Sequence, residues 1–96
     1  MLTIEEIKSV AEKVGKKHGV ERIYLFGSYA RGDATENSDV DLRIDRGKLL
    51  GLLDIAGFYL DMKDGLNTEV DVLTTDGLKP KFLDTIKNDE IILYAA

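Results

Sequence analysis

Residues 24–32 of the chain are Tyr24-Leu25-Phe26-Gly27-Ser28-Tyr29-Ala30-Arg31-Gly32, and residues 38–42 are Ser38-Asp39-Val40-Asp41-Leu42. The first apolar run ends in Gly27-Ser28, and the second carries two carboxylates one residue apart. Successive side chains of a strand point to opposite faces, so Asp39 and Asp41 are predicted to share one face. The two segments therefore predict a strand that ends in a turn at Gly27-Ser28 and, after a helical turn and a polar loop, a second strand whose acids point away from the core.

A third acid lies in the segment Glu69-Val70-Asp71-Val72-Leu73, where alternation places the two valines toward the core and Asp71 on the opposite side. If the strands of Asp41 and Asp71 are neighbours in register, the two acids lie about 5 Å apart. Each like-charge pair then costs roughly 3 kcal/mol at an effective dielectric constant of 20. Three solvated surface carboxylates are the alternative interpretation. The cost favours a divalent cation held by Asp39, Asp41 and Asp71, and oxygen ligands suit Mg²⁺ or Mn²⁺.

Gly27 and Ser28 follow a predicted strand and precede a predicted helical turn closed by Gly32. A glycine at such a place lets the backbone approach a ligand, and the N–H groups and the serine hydroxyl can bind phosphate oxygens. Arg31 lies one helical turn further on and is predicted to reach the same phosphates. The alternative for Arg31 is a surface ion pair with Asp33 or Glu36.

Length and charge limit the classes of function. The 96 residues predict one domain, residues 1–96, with no room for a second. A net charge of -5 argues against direct nucleic-acid binding, which depends on Lys and Arg neutralising phosphates. The chain has no cysteine and one histidine, so a metal site must use carboxylates. It shows neither a signal-peptide pattern nor an apolar run of membrane-spanning length, and we expect a cytoplasmic protein with no membrane partner.

The remaining patterns predict helices and strands around these motifs. Thr3 and Glu6 form a capping-box pattern for a first helix over residues 4–17. Strands are predicted over residues 20–26, 40–44, 69–73 and 90–94. A second long helix is predicted over residues 48–63, with an apolar side made of Leu49, Leu52, Leu53, Ala56, Tyr59, Leu60 and Met62. A third begins at Pro80, and its expected core contacts are Phe82, Leu83 and Ile86.

The combined motif resembles a known family. Gly27-Ser28-Tyr29-Ala30-Arg31-Gly32, the later Asp39-Val40-Asp41-Leu42 and Val70-Asp71-Val72 are similar to the signature of the nucleotidyltransferase superfamily that contains DNA polymerase beta. The chain length and the C-terminal segment, residues 78–94, resemble the minimal nucleotidyltransferases of prokaryotes. The likeness covers nearly the whole chain. It implies an α/β (α+β) polymerase beta-like nucleotidyltransferase fold, a mixed β-sheet flanked by helices.

The resemblance also implies roles for the motif residues. Two Mg²⁺ ions are expected at the acids: Asp39 and Asp41 would bind both, and Asp71 would complete the catalytic-metal site and help to deprotonate the acceptor hydroxyl. The β and γ phosphates of ATP would be held by Gly27, Ser28 and Arg31. The acceptor hydroxyl would then attack the α phosphate, and pyrophosphate would leave.

Minimal members of the family often occur beside a helical HEPN-type ribonuclease as antitoxin and toxin. The resemblance therefore implies an antitoxin that transfers AMP from ATP to a tyrosine of its toxin partner. Two alternatives remain: a binding-only antitoxin that neutralises its partner by occlusion, or nucleotidyl transfer to a small molecule or a nucleic-acid end. The complete acid set counts against occlusion alone, and the acidic charge counts modestly against an RNA acceptor.

Overall fold

The computed structural model describes all 96 residues. Four helices and four strands alternate along most of the chain, with one short 3-10 turn after the third strand. In chain order they are α1 (Ile4–His18), β1 (Arg22–Phe26), α2 (Ser28–Arg31), β2 (Val40–Asp45), α3 (Leu52–Leu66), β3 (Val70–Thr74), the 3-10 turn (Thr75–Gly77), α4 (Pro80–Lys87) and β4 (Ile91–Ala95). No helix has both the length and the apolar character needed to cross a membrane.

The strands form one mixed sheet in the order β3-β2-β1-β4. β1 is antiparallel to both β2 and β4, whereas β2 and β3 are parallel. Alternation along β2 places Val40, Leu42 and Ile44 in the core, fully buried. The intervening residues, Asp41 among them, therefore lie on the opposite face of the sheet. The mixed sheet flanked by helices confirms the predicted fold class.

Local signals at the ends of α1 act as predicted. The Thr3 hydroxyl accepts a hydrogen bond from the Glu6 N–H at 3.1 Å, and the Glu6 carboxylate accepts one from the Thr3 N–H at 3.0 Å. Gly19 ends the helix in the left-handed conformation, with φ 71°. His18 at this end contacts Asp61 of α3, Nε2 to Oδ2 at 2.7 Å, so it helps to join the two long helices.

The helix predicted over residues 48–63 starts later than its apolar pattern suggests. The Lys48 N–H donates to the Gly19 carbonyl at 2.9 Å. This bond holds the chain at Lys48 in a turn, so the helix does not begin there. Gly51 is extended, with φ -125°, and its N–H donates to the Asp54 carboxylate at 3.2 Å. Helix α3 therefore begins at Leu52 and continues to Leu66. Leu49 is buried as predicted, but it lies before the helix and not within it.

The predicted apolar side of this helix is also wrong in part. Its core face consists of Phe58, Met62 and Leu66, spaced four residues apart. Three predicted core residues are instead exposed, Leu52 by 81%, Leu53 by 88% and Leu60 by 59%. Apolar residues occur all around this helix, so periodicity alone could not fix its phase.

Helix α4 begins at Pro80, as predicted, and Ile86 is buried. The expected core contact of Phe82 holds only in part, because its side chain is 44% exposed. It packs edge-to-face on Phe26 of β1, with ring centroids 6.4 Å apart. Phe26 in turn pairs with Asp41 across the sheet, so α4 lies close to the acids.

Candidate active site

Asp41 and Asp71 lie side by side on the two parallel strands, and their Cα atoms are register partners. Asp41 is partly buried, whereas Asp71 is exposed to solvent. Each is flanked by core valines or leucines that face the other way, because strand neighbours alternate in direction. The two strands are thus neighbours in register, the condition on which the like-charge cost above depended, with one carboxylate sheltered and the other open to an incoming molecule.

The environment of Asp41 raises its pKa from the ordinary value of 3.8 to about 6. Burial is the largest cause, followed by a side-chain hydrogen bond with Asp71, the negative charge of Asp71 and that of Asp39. The positive charge of Arg31 acts in the opposite direction and lowers this pKa. The shift therefore arises first from burial and then from the two neighbouring acids, Asp71 and Asp39, which the sequence motifs bring close to Asp41.

Asp39 lies just before β2 and is exposed. Its place is set by the next residue, because the Val40 N–H donates to the Glu69 carbonyl at 3.0 Å and ties the start of β2 to the start of β3. Asp39 and Asp71 line the same groove. No three acidic or histidine side chains are already arranged as a metal-binding group. The acids that could hold a cation here are the register partners Asp41 and Asp71, with the exposed Asp39 at the edge of the same groove.

Gly27 has φ 76° and ψ -153°, a backbone conformation that side chains with a Cβ rarely adopt. A Cβ at this position would lie 2.2 Å from Oδ2 of Asp41. We predicted this glycine for the approach of a phosphate, and the structure adds a second reason for it. The missing side chain leaves the space that the Asp41 carboxylate occupies.

Ser28 and Arg31 begin and end the short helix α2, which Gly32 closes with φ 85°. Ser28 is partly exposed beside Gly27. The Arg31 Nε donates to the Asp33 carboxylate at 3.3 Å, which is the surface pair given above as the alternative. Both side chains are well exposed, and such pairs contribute only about 0–1 kcal/mol. A triphosphate could therefore take the place of Asp33 at little cost.

An arginine that the sequence analysis did not single out is buried two residues beyond Asp41. The Arg43 side chain forms a forked pair with Glu90, with Nε–Oε2 at 2.5 Å and Nη2–Oε1 at 2.9 Å, and its Nη1 donates to the Thr75 hydroxyl at 2.8 Å. Its guanidinium carbon lies 4.0 Å from the centroid of the Tyr24 ring. The hydrogen bond with Glu90 is the main cause that raises the pKa of Arg43.

This network joins the strand of Asp41 to β1, to the start of β4 and to the turn that follows the strand of Asp71. It therefore stiffens the support of both acids. Arg43 itself carried a signal, a charged residue inside the apolar run of residues 40–44. Its partner Glu90 lies 47 residues away, and nothing local in the sequence indicates that contact.

Comparisons with known proteins agree with this geometry. The family described as "Polymerase beta, Nucleotidyltransferase" matches residues 5–96. A candidate protein adenylyltransferase of Methanocaldococcus jannaschii is 38% identical over 90 residues, 94% of this chain and 97% of that protein. The protein adenylyltransferase MntA of Thermococcus cleftensis is 33% identical over 95 residues, 95% of this chain and 96% of that protein.

A solved structure also shares the fold. It contains a tri-AMPylated HEPN toxin of Shewanella oneidensis in complex with an MNT antitoxin, and the match covers 98% of this chain and 74% of that chain. The TM-score is 0.74 and the sequence identity is 16%, so this likeness concerns the fold alone.

Proposed function

Because the chain belongs to the polymerase beta nucleotidyltransferase family, we propose that it transfers AMP from ATP to a tyrosine hydroxyl of a HEPN-type ribonuclease toxin. It is a nucleotidyltransferase of the protein adenylyltransferase type. The observation that carries the proposal is the register pairing of Asp41 with Asp71 next to Gly27. In this proposal residues 1–96 are one catalytic domain, which acts in the cytoplasm as the antitoxin of its acceptor.

The acids fit a divalent cation chemically. They offer only oxygen ligands, and the pKa of Asp41 is raised by burial first and then by the neighbouring acids, whose mutual repulsion a cation would relieve. Asp39, Asp41 and Asp71 would hold Mg²⁺, or Mn²⁺ in its place, and two ions are expected from the family. When bound, Mg²⁺ would neutralise part of the triphosphate charge and lower the pKa of a nearby hydroxyl.

The first motif holds the nucleotide in this proposal. Gly27 and Ser28 approach the β and γ phosphates with backbone N–H groups and a hydroxyl, and Arg31 leaves Asp33 to pair with a phosphate oxygen. These contacts orient the α phosphorus toward Asp71, which is the open member of the acid pair. Orientation of this kind accounts for much of the catalysis in phosphoryl and nucleotidyl transfer.

The reaction itself is a displacement at the α phosphorus. The tyrosine oxygen of the acceptor forms a bond to the α phosphorus, the bond from that phosphorus to the bridging oxygen breaks, and pyrophosphate leaves. The Asp71 carboxylate accepts the proton of the attacking hydroxyl. Its exposure lets an acceptor reach it, and the parallel pairing of β3 with β2 holds its backbone beside Asp41.

The support for a protein acceptor comes from relatives. Those of at least 30% identity include protein adenylyltransferases, and the fold is shared with an MNT antitoxin found with an AMPylated HEPN toxin. A radiolabel assay tests the proposal. The purified chain is incubated with ATP labelled at the α phosphorus, Mg²⁺ and a purified HEPN-type toxin of the same organism.

Label on a tyrosine of the toxin, with release of pyrophosphate, is the expected result. Toxin that is inhibited but unlabelled would instead favour an antitoxin acting by occlusion. Label found only on added small molecules or nucleic-acid ends would favour the other class of acceptor.

A further inference from the structure

Three leucines at the start of α3 are exposed to solvent. Leu50, just before the helix, is 81% exposed, and Leu52 and Leu53 in its first turn are 81% and 88% exposed. No other part of residues 1–96 covers them. A single exposed leucine is ordinary, but three within four positions form an apolar cluster of the kind found at protein contacts. These three residues are called the leucine patch below.

A groove connects the leucine patch to the acids. Its volume is about 380 Å³, and Leu52, Ile55 and Tyr59 line its α3 side. Asp39 and Asp71 line it on the side of the sheet. Because Leu52 belongs both to the patch and to the groove, a molecule that lies on the patch has a direct path along the groove to Asp71.

The charges beside this path are negative. Glu69 lines the groove, and its one ion-pair partner, Lys63, is joined to it through an exposed contact of 3.0 Å. Exposed pairs of this type are easily exchanged for another cation. Asp54, next to the patch, is exposed as well. Neither Glu69 nor Asp54 belongs to the proposed metal ligands, so a bound cation would not occupy either carboxylate.

The complementary surface is therefore apolar and flanked by Lys or Arg side chains. A small acceptor bound in the groove would leave Leu50 and Leu53 in water, since neither lines it. A protein segment can cover both. The apolar area outside the groove thus favours a protein over a small molecule.

We propose that the leucine patch and the adjoining groove are the docking site of the acceptor protein. An apolar segment of the acceptor, flanked by basic residues, packs on Leu52 and Leu53 and brings its hydroxyl along the groove to Asp71. This inference rests on the proposed function and adds to it the surface that selects the acceptor.

The test compares the double variant Leu52→Ser/Leu53→Ser with the parent. Calorimetric titration with a purified HEPN-type toxin of the same organism measures affinity, and the labelled-ATP assay measures transfer. Each lost apolar contact is expected to lower the toxin affinity about tenfold, so the double variant should bind the toxin about 100-fold more weakly. The KM for the toxin rises accordingly. Leu60→Ser is the matched control, because Leu60 is exposed on the same helix but does not line the groove. Its expected affinity equals that of the parent.

Each outcome has a separate meaning. Toxin affinity that is equal in the parent and the double variant overturns the docking site and leaves the transfer reaction standing. Toxin binding that depends on the leucines, but without AMP transfer by the parent, supports the docking site and overturns the reaction. A parent that binds no HEPN-type toxin overturns both. A parent dimer that the double variant converts to a monomer in sedimentation assigns the patch to a second copy and overturns the docking site.

Discussion

Asp41→Asn is expected to stabilise the metal-free protein near neutral pH and to do so much less in mild acid. The pKa of Asp41 is raised to about 6, so the folded state favours its protonated form. The stability that this proton contributes is present below the ordinary value of 3.8 and is lost as pH rises through 6. Asparagine carries no charge to lose, and its amide can donate to Asp71 as the protonated carboxyl does.

The magnitude follows from the size of the pKa shift. One pKa unit corresponds to 1.36 kcal/mol, so a rise from 3.8 to about 6 is roughly 3 kcal/mol over the whole titration. The side chain is only partly buried, and solvent screening reduces this to about 1.5 kcal/mol. Between pH 4.5 and 7.5 the advantage of the variant over the parent should therefore grow by about 1 kcal/mol.

Urea unfolding at the two pH values, in the presence of a chelator, measures this difference. The pKa values of Asp61 and Asp76 are lowered, so these two groups stabilise the folded state more as pH rises. Their contribution is the same in the parent and in the variant, and it cancels in the difference between them. Asp84→Asn is the control for removal of a surface charge, because Asp84 is exposed on α4. Adding Mg²⁺ at pH 7.5 should stabilise the parent and leave Asp41→Asn nearly unaffected. An advantage of Asp41→Asn that does not change with pH would refute the electrostatic account of the acid pair.

Other variants test the remaining parts of the site. Mg²⁺ with ATP should raise the melting temperature of the parent and not that of Asp39→Asn, because a ligand selective for the folded state stabilises it by mass action; an equal shift in both would exclude a role for this acid in binding. Gly27→Ala should destabilise the fold by about 1–3 kcal/mol and weaken ATP binding, since its Cβ meets the Asp41 carboxylate. Gly32→Ala, also at positive φ but with open space around the Cβ, is the matched control in chemical denaturation and calorimetry. Glu90→Ala leaves a buried guanidinium without its forked partner and should cost about 3 kcal/mol in urea unfolding; a loss below 1 kcal/mol would show that the network contributes little.

Local patterns in the sequence were sufficient to predict which face of the sheet each acid occupies. Alternation placed Val70 in the core and Asp71 outside, and it did the same for Val40 and Asp41, so the two acids could be assigned to one face before their strands were seen to pair. The cap of α1 and the proline that begins α4 were equally local and equally predictable. Each of these features depends on residues within a few positions of one another.

Features that depend on distant residues could not be predicted in this way. The start of α3 is set by Gly51 and by a hydrogen bond from Lys48 to Gly19, which no periodicity reveals. Gly27 was predicted only from the approach of a phosphate to the backbone. The Asp41 carboxylate that occupies the space beside Gly27 comes from another strand. The forked pair of Arg43 likewise appears only once β4 lies beside β1.

The mass of a HEPN-type toxin of the same organism after incubation with the chain is the most direct measurement of the proposed AMP transfer. The HEPN-type toxin is treated with ATP and Mg²⁺ together with either the parent or Asp71→Asn, which keeps nearly the same shape but loses the proposed base. The account predicts toxin that is heavier by one or more AMP units with the parent, and toxin of unchanged mass and retained ribonuclease activity once Asp71→Asn is removed. Unmodified toxin that the parent and Asp71→Asn neutralise equally well would contradict it, because protection would then come from occlusion alone.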